Sequence, residues 1–504
     1  MKNTITFTTA KGNTFLYSPF KKQFLLIHPI IRHLYQMEKS GVHLPGYIDQ
    51  VKSDKKVEIK GLDVFSYDEV HQQYSKYRFL QKHHFFAPVN RPNLGGVLSP
   101  ARIEQNIGKL QQVILETTEE CNLACTYCTY SKFYINTERG RQKMNFEKAR
   151  QILEFILSKR NLPANPELII SFYGGEPLKN FSLISEVIHF LNTYPGPKPL
   201  LKFSMSSNGL LLAKYMDFLA ANDVEVAISL DGDKMGNSFR VLKNEKSSYD
   251  LVLNNLERVQ NIYPEYFDKK VSFLTVLHSR NSYKATYAFF MKRFKKIPAI
   301  STINTLNLNE QHKQEFYRTF LNSKRSRKSD LKTIKSLMHN HPAIKEFTDS
   351  LEKYSGYVYK DHGRLTLRGK DHNKRRNFIP TGTCIPFSLR IFITTNGLIL
   401  PCEHISRIFE IGSVGDKGPV INAETIARDF NYYYSKIRPL CEQCFLDDGC
   451  MECMFNTKIE TDHPECEFFT DEKHFSNRLS KQLSLIEKDY SFYLRILNET
   501  FDEN

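Results

Sequence analysis

The sequence predicts an α/β protein built around a partial (β/α)6 barrel, with a small module before the barrel and a cysteine-rich domain after it. Three observations lead to this prediction. Apolar strand-like runs alternate with amphipathic helix-like runs six times between residues 111 and 322. The first 90 residues instead place short strands before helices. Seven of the ten cysteines fall between residues 384 and 466.

Residues 1–90 are predicted to form a separate, winged-helix-like module. Alternating apolar residues around a Gly-Asn pair indicate short strands joined by a turn. A helix is expected to end at Gly41, and a second helix is expected to begin at Ser66. Residues 91–110 are interpreted as a linker, because the chain around them is rich in proline and glycine.

Residues 111–322 are predicted to form the partial, TIM-like barrel. Its first strand is expected over 112–118 and its first helix over 145–160, and five further strand–helix pairs follow. In sheets of parallel strands with crossover helices, functional residues collect at the carboxyl ends of the strands. The loops that follow the strands are therefore expected to carry the site.

The chain after the barrel divides into three parts. Residues 323–380 are a basic bridging region to which the sequence assigns no role. Residues 381–470 are predicted to form a small domain with little regular periodicity, which would need bound metal to fold. A C-terminal helix is expected within 471–504.

The composition predicts a soluble, cytoplasmic protein with no membrane partner. The N-terminus lacks the apolar stretch of a secretory signal, and no apolar run reaches the ~20 residues that a membrane helix needs. Ten cysteines in 504 residues are too sparse for a disulfide scaffold. The formal net charge of +15 favours an acidic partner, with an ordinary solvated basic surface as the alternative. No nucleic-acid partner is expected, because the basic stretches lack interleaved aromatic residues.

Three cysteines lie within eight residues directly after the first predicted strand, at Cys121, Cys125 and Cys128. Four thiolates would complete a zinc site or saturate a 4Fe–4S cluster, whereas three leave one iron open to another ligand. A zinc site would need a fourth ligand, and no histidine lies near in the sequence. Unligated core cysteines are the other alternative. The spacing after a strand favours an iron–sulfur cluster.

Motifs after the next strands make the chain resemble the radical S-adenosylmethionine (SAM) superfamily. The second strand is followed by GGEP at 174–177, the third ends in SSNG at 206–209, and the fourth ends in SLDG at 229–232. The resemblance rests on the order of these motifs and of Cys-x3-Cys-x2-Cys after the first strand. It extends over about residues 112–310. The resemblance implies that SAM binds the open iron through its methionine part and yields a 5′-deoxyadenosyl radical on reduction.

The resemblance also implies a set of SAM-binding residues at the strand ends. A glycine pair allows close backbone approach, a carboxylate suits the methionine ammonium, and an arginine suits its carboxylate. An aromatic ring inside the cysteine loop would pack near adenine. The ordinary alternatives are turn residues and a surface arginine. The residues assigned to SAM in this way are Tyr127, Gly174, Gly175, Glu176, Ser207, Asn208, Ser229, Asp231 and Arg240.

The remaining cysteines resemble the iron–sulfur SPASM domain, which carries two auxiliary 4Fe–4S clusters. The pattern departs from that domain only before Cys453, where the spacing is x2 and not the usual x3. Carried over, one auxiliary cluster would be saturated by Cys441, Cys444, Cys450 and Cys466. The other would be held by Cys384, Cys402 and Cys453, with an open iron or a non-cysteine ligand. A zinc ribbon built on 441–453 is the alternative.

The two resemblances imply an oxidoreductase that modifies peptides with three 4Fe–4S clusters and SAM. The N-terminal module resembles the leader-recognition element of ribosomal-peptide (RiPP) maturases, which adds the leader to a sheet as a strand; a plain structural cap is the alternative. The expected activity is a cross-link, thioether or carbon–carbon, in a precursor peptide. The expected partners are that peptide with its leader and an external one-electron donor of flavodoxin or ferredoxin type.

Glu403 is the candidate catalytic base, because an aspartate at this position acts as base in sulfatase-maturing relatives; a surface glutamate is the alternative. Two other functions stay open. A sulfatase-maturing enzyme would form formylglycine, but this chain lacks the eighth cysteine of those relatives and has Glu in place of Asp. A non-catalytic leader-peptide or nucleic-acid binder with structural clusters would be expected to lose the first cysteine triad, which this chain retains.

Overall fold

The computed structural model describes most of the chain, in eleven stretches. These are residues 3–21, 23–61, 63–88, 98–135, 140–163, 165–305, 308–321, 383–446, 450, 452–459 and 464–491. The basic bridging region predicted at 323–380 lies outside the described residues.

The N-terminal module consists of an antiparallel sheet followed by helices and a hairpin. Its elements are β1 (Ile5–Thr8), β2 (Thr14–Ser18), β3 (Gln23–Leu26), α1 (Pro29–Lys39), α2 (Leu44–Asp54), β4 (Lys56–Glu58), β5 (Val64–Ser66) and α3 (Tyr67–Lys82). The predicted start of α3 is confirmed, because Ser66 and Glu69 form a reciprocal cap: the Ser66 side chain accepts from the Glu69 N–H, and the Glu69 carboxylate accepts from the Ser66 N–H. The winged-helix-like assignment of the module stays a prediction.

Six parallel strands form the centre of the molecule and pair in chain order, as the partial barrel predicts. They are β6 (Gln112–Thr118), β7 (Glu167–Gly174), β8 (Leu200–Ser207), β9 (Glu225–Ser229), β10 (Val271–Leu277) and β11 (Ala299–Thr302). The associated helices are α4 (Pro100–Ile107), α5 (Phe146–Lys159), α6 (Phe181–Thr193), α7 (Leu212–Ala221), α8 (Tyr249–Ile262), α9 (Pro264–Lys270), α10 (Tyr283–Phe294) and α11 (Lys313–Phe320). Each strand predicted from alternation in the sequence is present.

Apolar helix faces and strand side chains form one large core around this sheet. In α5, the side chains of Ile152, Leu153, Ile156 and Leu157 are buried, as their helical spacing predicts. They join buried residues of β7, such as Leu168 and Ile170, in the same cluster. The core therefore holds the strands rigidly and fixes where the strand ends point.

The cysteine-rich domain continues the same sheet. Its elements are β12 (Arg390–Ile393), β13 (Leu398–Leu400), β14 (Gly412–Gly415), β15 (Gly418–Val420), α12 (Ala423–Gln443) and α13 (Glu472–Lys488). Strand β12 pairs in parallel with β6, with Arg390 opposite Gln112, and β13 to β15 extend the sheet in antiparallel fashion. Although the sequence of this domain shows little regular periodicity, its described residues form four strands and a 21-residue helix.

Helix α4 lies in the stretch interpreted as a linker. Ser99 caps it, Pro100 occupies its first turn, and Ile103 is fully buried in the central core. The backbone of Leu98 exchanges two hydrogen bonds with the Asn431 side chain of α12, at 2.7 and 2.9 Å. The segment before the barrel thus joins the C-terminal domain to the central core.

The N-terminal sheet packs on the C-terminal helix. The ring of Phe475 in α13 lies 5.2 Å from that of Tyr17 and 5.6 Å from that of Phe445. The Ser480 hydroxyl donates to the carbonyl of Thr8, which holds α13 beside β1. Among the described residues, no helix is both long and apolar enough to cross a membrane.

Candidate active site

A cavity of about 1120 Å³ lies where the parallel strands end. Residues at the carboxyl ends of five barrel strands, β7 to β11, line it, as expected for barrels of this kind. Two groups of cysteines line it, namely Cys121, Cys125 and Cys128 from the loop after β6 and Cys384, Cys402 and Cys453 from the C-terminal domain. The predicted radical-forming triad and the predicted three-cysteine auxiliary set therefore share one cavity.

Seven of the nine residues assigned to SAM line this cavity. They are Tyr127, Gly174, Gly175, Ser207, Asn208, Ser229 and Arg240. The side chains of the other two, Glu176 and Asp231, are fully buried behind the lining residues. In the structure, these two carboxylates hold the lining residues in place and do not face the cavity.

Glu176 fixes the turn at the end of β8. Its carboxylate accepts hydrogen bonds from the Ser207 hydroxyl at 2.9 Å and from the backbone N–H groups of Asn208 and Leu178 at 2.8 and 3.3 Å. Burial raises the pKa of Glu176 to about 7, although these three donors favour the charged form. The carboxyl group thus couples the GGEP loop to the end of the third barrel strand.

Asp231 holds Arg240 and Tyr127 at the cavity wall. The Arg240 guanidinium donates to both Asp231 oxygens, at 2.8 and 3.0 Å, and the Tyr127 hydroxyl also donates to this carboxylate. Burial alone would raise the pKa of Asp231, but the charge of Arg240 and the hydrogen bonds outweigh it and hold the pKa at about 2. The arginine is therefore charged and held against Asp231 at the cavity wall, and its role toward SAM stays a prediction.

The GGEP loop packs against the chain that enters the cysteine triad. The backbone N–H groups of Gly175 and Glu176 donate to the carbonyls of Thr118 and Glu120, both at 2.8 Å. Gly174 has a φ of +137°, and a Cβ at this position would collide with the Thr118 carbonyl. Only glycine permits this close approach.

The triad lies at one side of the cavity, with Cys121 buried and Cys125 and Cys128 half-buried. The Sγ atom of Cys121 accepts hydrogen bonds from the Leu123 N–H at 3.4 Å and from the Asn208 side-chain amide at 3.6 Å. Burial raises the pKa of the Cys125 thiol to about 12, so loss of its proton depends on a bound metal. Within the described stretches, no three His, Cys, Asp or Glu side chains converge as ligands of one metal ion. Three cysteines beside a large cavity have the donor chemistry of a cluster with one open iron.

A second, smaller cavity brings together the other predicted cysteine set. It is lined by Cys441, Cys444, Cys450 and Cys466, together with Cys453 and Glu452. Because Cys453 and Glu452 line both cavities, they form the wall between them. Cys441, Cys444, Cys450 and Cys466 thus line the smaller cavity, Cys384 and Cys402 line the larger one, and Cys453 lines both. The division into two cluster-binding sets stays a prediction.

Glu403 lines the large cavity next to Cys402. One of its oxygens accepts from Arg390 at 3.2 Å and lies 3.4 Å from Nε2 of His404. Its other oxygen, Oε2, is buried and has no hydrogen-bond partner among the described residues. This oxygen therefore has unused hydrogen-bonding capacity but is shielded from the open cavity in the structure.

Sequence reasoning missed a polar cluster in the cavity wall. The Tyr130 hydroxyl donates to Glu116 at 3.0 Å, and Arg407 lies 3.3 Å from the carboxylates of both Glu116 and Glu119. The Thr395 N–H donates to Glu116 at 3.0 Å and so ties the barrel to the C-terminal sheet. The sequence could have indicated Glu116 as a site residue, because it is a carboxylate near the end of an apolar strand. No local sequence pattern indicates Arg407.

Comparison with known proteins finds one matching family model and several similar proteins. Residues 115–288 match the Radical SAM superfamily. A cysteine-type anaerobic sulfatase-maturating enzyme of Clostridium novyi is 27% identical over 325 residues, which cover 61% of this chain and 77% of that protein. A radical SAM cyclopropyl synthase, TigE, of Paramaledivibacter caminithermalis is 27% identical over 161 residues, or 29% of this chain and 34% of that protein.

A solved structure shares the fold. The structure of native anSMEcpe with bound AdoMet and the Kp18Cys peptide matches 78% of this chain and 99% of its own length, with a TM-score of 0.51 and 18% identity. At this identity the likeness shows the architecture of the chain and no more. The arrangement of parallel strands described above is thus one that is known from solved proteins.

Proposed function

We propose that this radical SAM enzyme installs a cross-link, thioether or carbon–carbon, in a ribosomally made precursor peptide. The observation that carries the proposal is the single cavity of about 1120 Å³, which the Cys121 triad shares with the set of Cys384, Cys402 and Cys453. A peptide segment in this cavity would contact both the radical-forming side and the auxiliary side at once. The volume exceeds that of a usual small-molecule pocket and suits a cofactor with a peptide beside it.

The residues of the cavity fit SAM and a cluster with one open iron. When bound and reduced, SAM supplies a 5′-deoxyadenosyl radical, which abstracts a hydrogen atom from the substrate. Arg240 gives one two-point contact to Asp231 and lines the cavity, where its positive charge suits a carboxylate of SAM. Gly174 and Gly175 line the cavity, and their lack of side chains lets the GGEP loop pack directly on the backbone that enters the triad.

Closing a cross-link removes one hydrogen atom, one proton and one electron from the peptide. The hydrogen atom leaves in 5′-deoxyadenosine, and Glu403 in the cavity lining would accept the proton. The thiols of Cys384, Cys402 and Cys453 lie beside Glu403 and suit a cluster that accepts the electron. An external one-electron donor of flavodoxin or ferredoxin type would reduce the enzyme for each turnover.

We further propose that the N-terminal module binds the leader of the precursor along β3. In the three-stranded sheet, α13 covers β1 at Thr8, whereas β3 is the opposite edge and, among the described residues, pairs with β2 alone. The rings of Phe20 and His84 lie 6.0 Å apart at one end of β3. Those of His28 and Phe65 lie 5.8 Å apart at its other end, so β3 runs alongside α3. An edge strand beside a helix is a surface to which an extended peptide can add as a strand.

The second candidate is a sulfatase-maturing activity, which the name of the Clostridium novyi relative favours. Glu403 would serve that reaction equally well as a base. The two candidates differ in product, because a cross-link leaves no carbonyl, whereas formylglycine is an aldehyde.

Mass spectrometry of a co-expressed precursor peptide tests the proposal. We expect a loss of two hydrogen atoms for each event, no reaction with a hydrazide reagent, and fragment ions missing between the joined residues. An aldehyde that reacts with hydrazide would establish the sulfatase-type activity instead. An unmodified peptide, bound by a protein with about twelve irons per chain that cleaves no SAM, would establish the binding function.

A further inference from the structure

We propose that Asn208 is a positioning residue that raises the reduction potential of the cluster bound by the triad, through its hydrogen bond to Cys121. The inference rests on the proposed function, because it presupposes that this cluster forms. The resemblance assigned Asn208 to SAM, but its side-chain amide lies 3.6 Å from the Cys121 sulfur. The structure therefore gives this residue a role toward the cluster that the sequence did not suggest.

The hydrogen bonds of Asn208 fix which way its amide points. The Leu210 N–H donates to Oδ1 at 3.0 Å, so the oxygen faces the turn and the NH₂ group faces the triad. That NH₂ group donates to the Asn122 side-chain oxygen at 2.6 Å and to the Cys121 sulfur. Both ends of the amide are thus engaged, and a flipped amide would place two oxygens against each other.

The backbone of Asn208 is also held in place by a hydrogen bond. Its N–H donates to the buried carboxylate of Glu176 at 2.8 Å. Asn208 is only 7% exposed and Cys121 only 6%, so water competes little for the amide–sulfur bond. A second donor, the Leu123 N–H, reaches the same sulfur at 3.4 Å.

The direction of the effect follows from charge. Reduction adds an electron to the cluster and increases the negative charge on its cysteine sulfurs. A donor aimed at one of these sulfurs stabilises the reduced form more than the oxidised form, so it raises the potential. A higher potential makes the cluster easier to reduce by a weak donor, and reduction is the step that starts each turnover.

EPR-monitored redox titration of the reconstituted, SAM-bound protein tests this inference. Asn208→Leu removes the donor, and we expect the equilibrium constant for reduction to fall about tenfold, which is 59 mV for a one-electron couple. Asn208→Asp keeps the shape and the acceptor for Leu210 but replaces the donor with a negative oxygen. We expect its midpoint to fall further than that of Asn208→Leu.

Asn255→Leu is the matched control. The Asn255 amide donates to the carbonyls of Gly209 and Leu210, at 3.0 and 2.9 Å, and so supports the same turn without touching sulfur. We expect its midpoint to stay at the native value even if the protein loses stability. Unchanged midpoints in both Asn208 variants, or an equal fall in Asn255→Leu, would overturn the inference. A native protein that binds no cluster at the triad would overturn the proposed function along with it.

Discussion

Two buried carboxyl groups behind the cavity have pKa values shifted in opposite directions. Asp231 has a full counter-charge in Arg240, and this charge with its hydrogen bonds holds the Asp231 pKa at about 2. Glu176 has neutral donors only, so burial prevails and raises its pKa to about 7. Asp231 is therefore charged at neutral pH, mainly because of Arg240, whereas Glu176 is only partly charged.

The raised pKa of Glu176 predicts a pH dependence of stability. The folded protein binds the Glu176 proton more tightly than the unfolded chain, whose pKa is near 4.5. Its contribution to the free energy of unfolding is therefore complete below about pH 4.5 and is lost as the pH rises through 7, by about 3 kcal/mol. Urea denaturation of the cluster-free protein between pH 5 and pH 8 measures this slope.

Glu176→Gln cannot ionise, so it should flatten this slope. The control is Glu265→Gln, which changes an exposed side chain and should keep the native slope. A native slope retained in Glu176→Gln would show that another group titrates in this range.

Glu403 is predicted to act after the radical has formed. Glu403→Gln should lower the yield of modified peptide about 100-fold, because the base is lost, while 5′-deoxyadenosine still forms. The measurement is the ratio of modified peptide to 5′-deoxyadenosine by liquid chromatography and mass spectrometry. Glu410→Gln, an exposed glutamate nearby, is the control and should keep the native ratio. An unchanged ratio in Glu403→Gln would assign this residue a structural role.

At the scale of elements, β3 is predicted to be the leader-binding strand. Leu26→Asp should weaken leader-peptide binding about tenfold, because it removes an apolar contact and repels an acidic leader. Leu26 is 63% exposed, so the substitution should not unfold the module. Fluorescence anisotropy with a labelled peptide measures the effect. Val64→Asp on β5, at 56% exposure, is the matched control. Equal weakening by both variants would contradict binding at β3.

The barrel could be predicted from the sequence because its signals are local. Each strand and helix carries its own periodicity, and the site residues lie directly after strands. Ser66 likewise predicted the start of α3, because it forms a local helix cap. Helix α4 was missed because Ser99 and Pro100, which start it, have the same composition as a linker.

Other features depend on contacts that no local pattern records. The pairing of β12 with β6 joins residues that are far apart in the chain, and strand pairing of this kind leaves no signal in either segment. Glu176 was assigned to SAM from its motif, but burial against Ser207 turned its side chain away from the cavity. Tertiary packing, which the sequence does not display, decided both outcomes.

At the scale of the whole molecule, the second cysteine group is predicted to anchor the N-terminal module. The Thr470 N–H donates to the Cys444 sulfur at 3.4 Å, and the Phe445 N–H donates to the Thr470 carbonyl at 2.8 Å. Phe445 in turn stacks on Phe475, which contacts Tyr17 of β2. Loss of the cluster at Cys444 should therefore loosen the contact on which the N-terminal sheet rests.

Hydrogen–deuterium exchange measures this coupling. In Cys444→Ala, amide exchange in β1 to β3 should be roughly tenfold faster than in the native protein. Cys402→Ala removes a cysteine of the other set and should leave exchange in these strands unchanged. Equal acceleration in both variants would point to general destabilisation and would contradict a specific anchor.

The parallel pairing of β6 with β12 also bears on how the chain is made. The barrel is synthesised before the cysteine-rich domain. Strand β6 therefore lacks its partner β12 until the ribosome has passed residue 393. During that interval its backbone is an unsatisfied edge that can recruit strands from other nascent chains. Chains cut between the barrel and the cysteine-rich domain keep this edge permanently, and we expect them to aggregate. Dissection of the enzyme at that boundary would thus yield inclusion bodies in place of an isolated barrel.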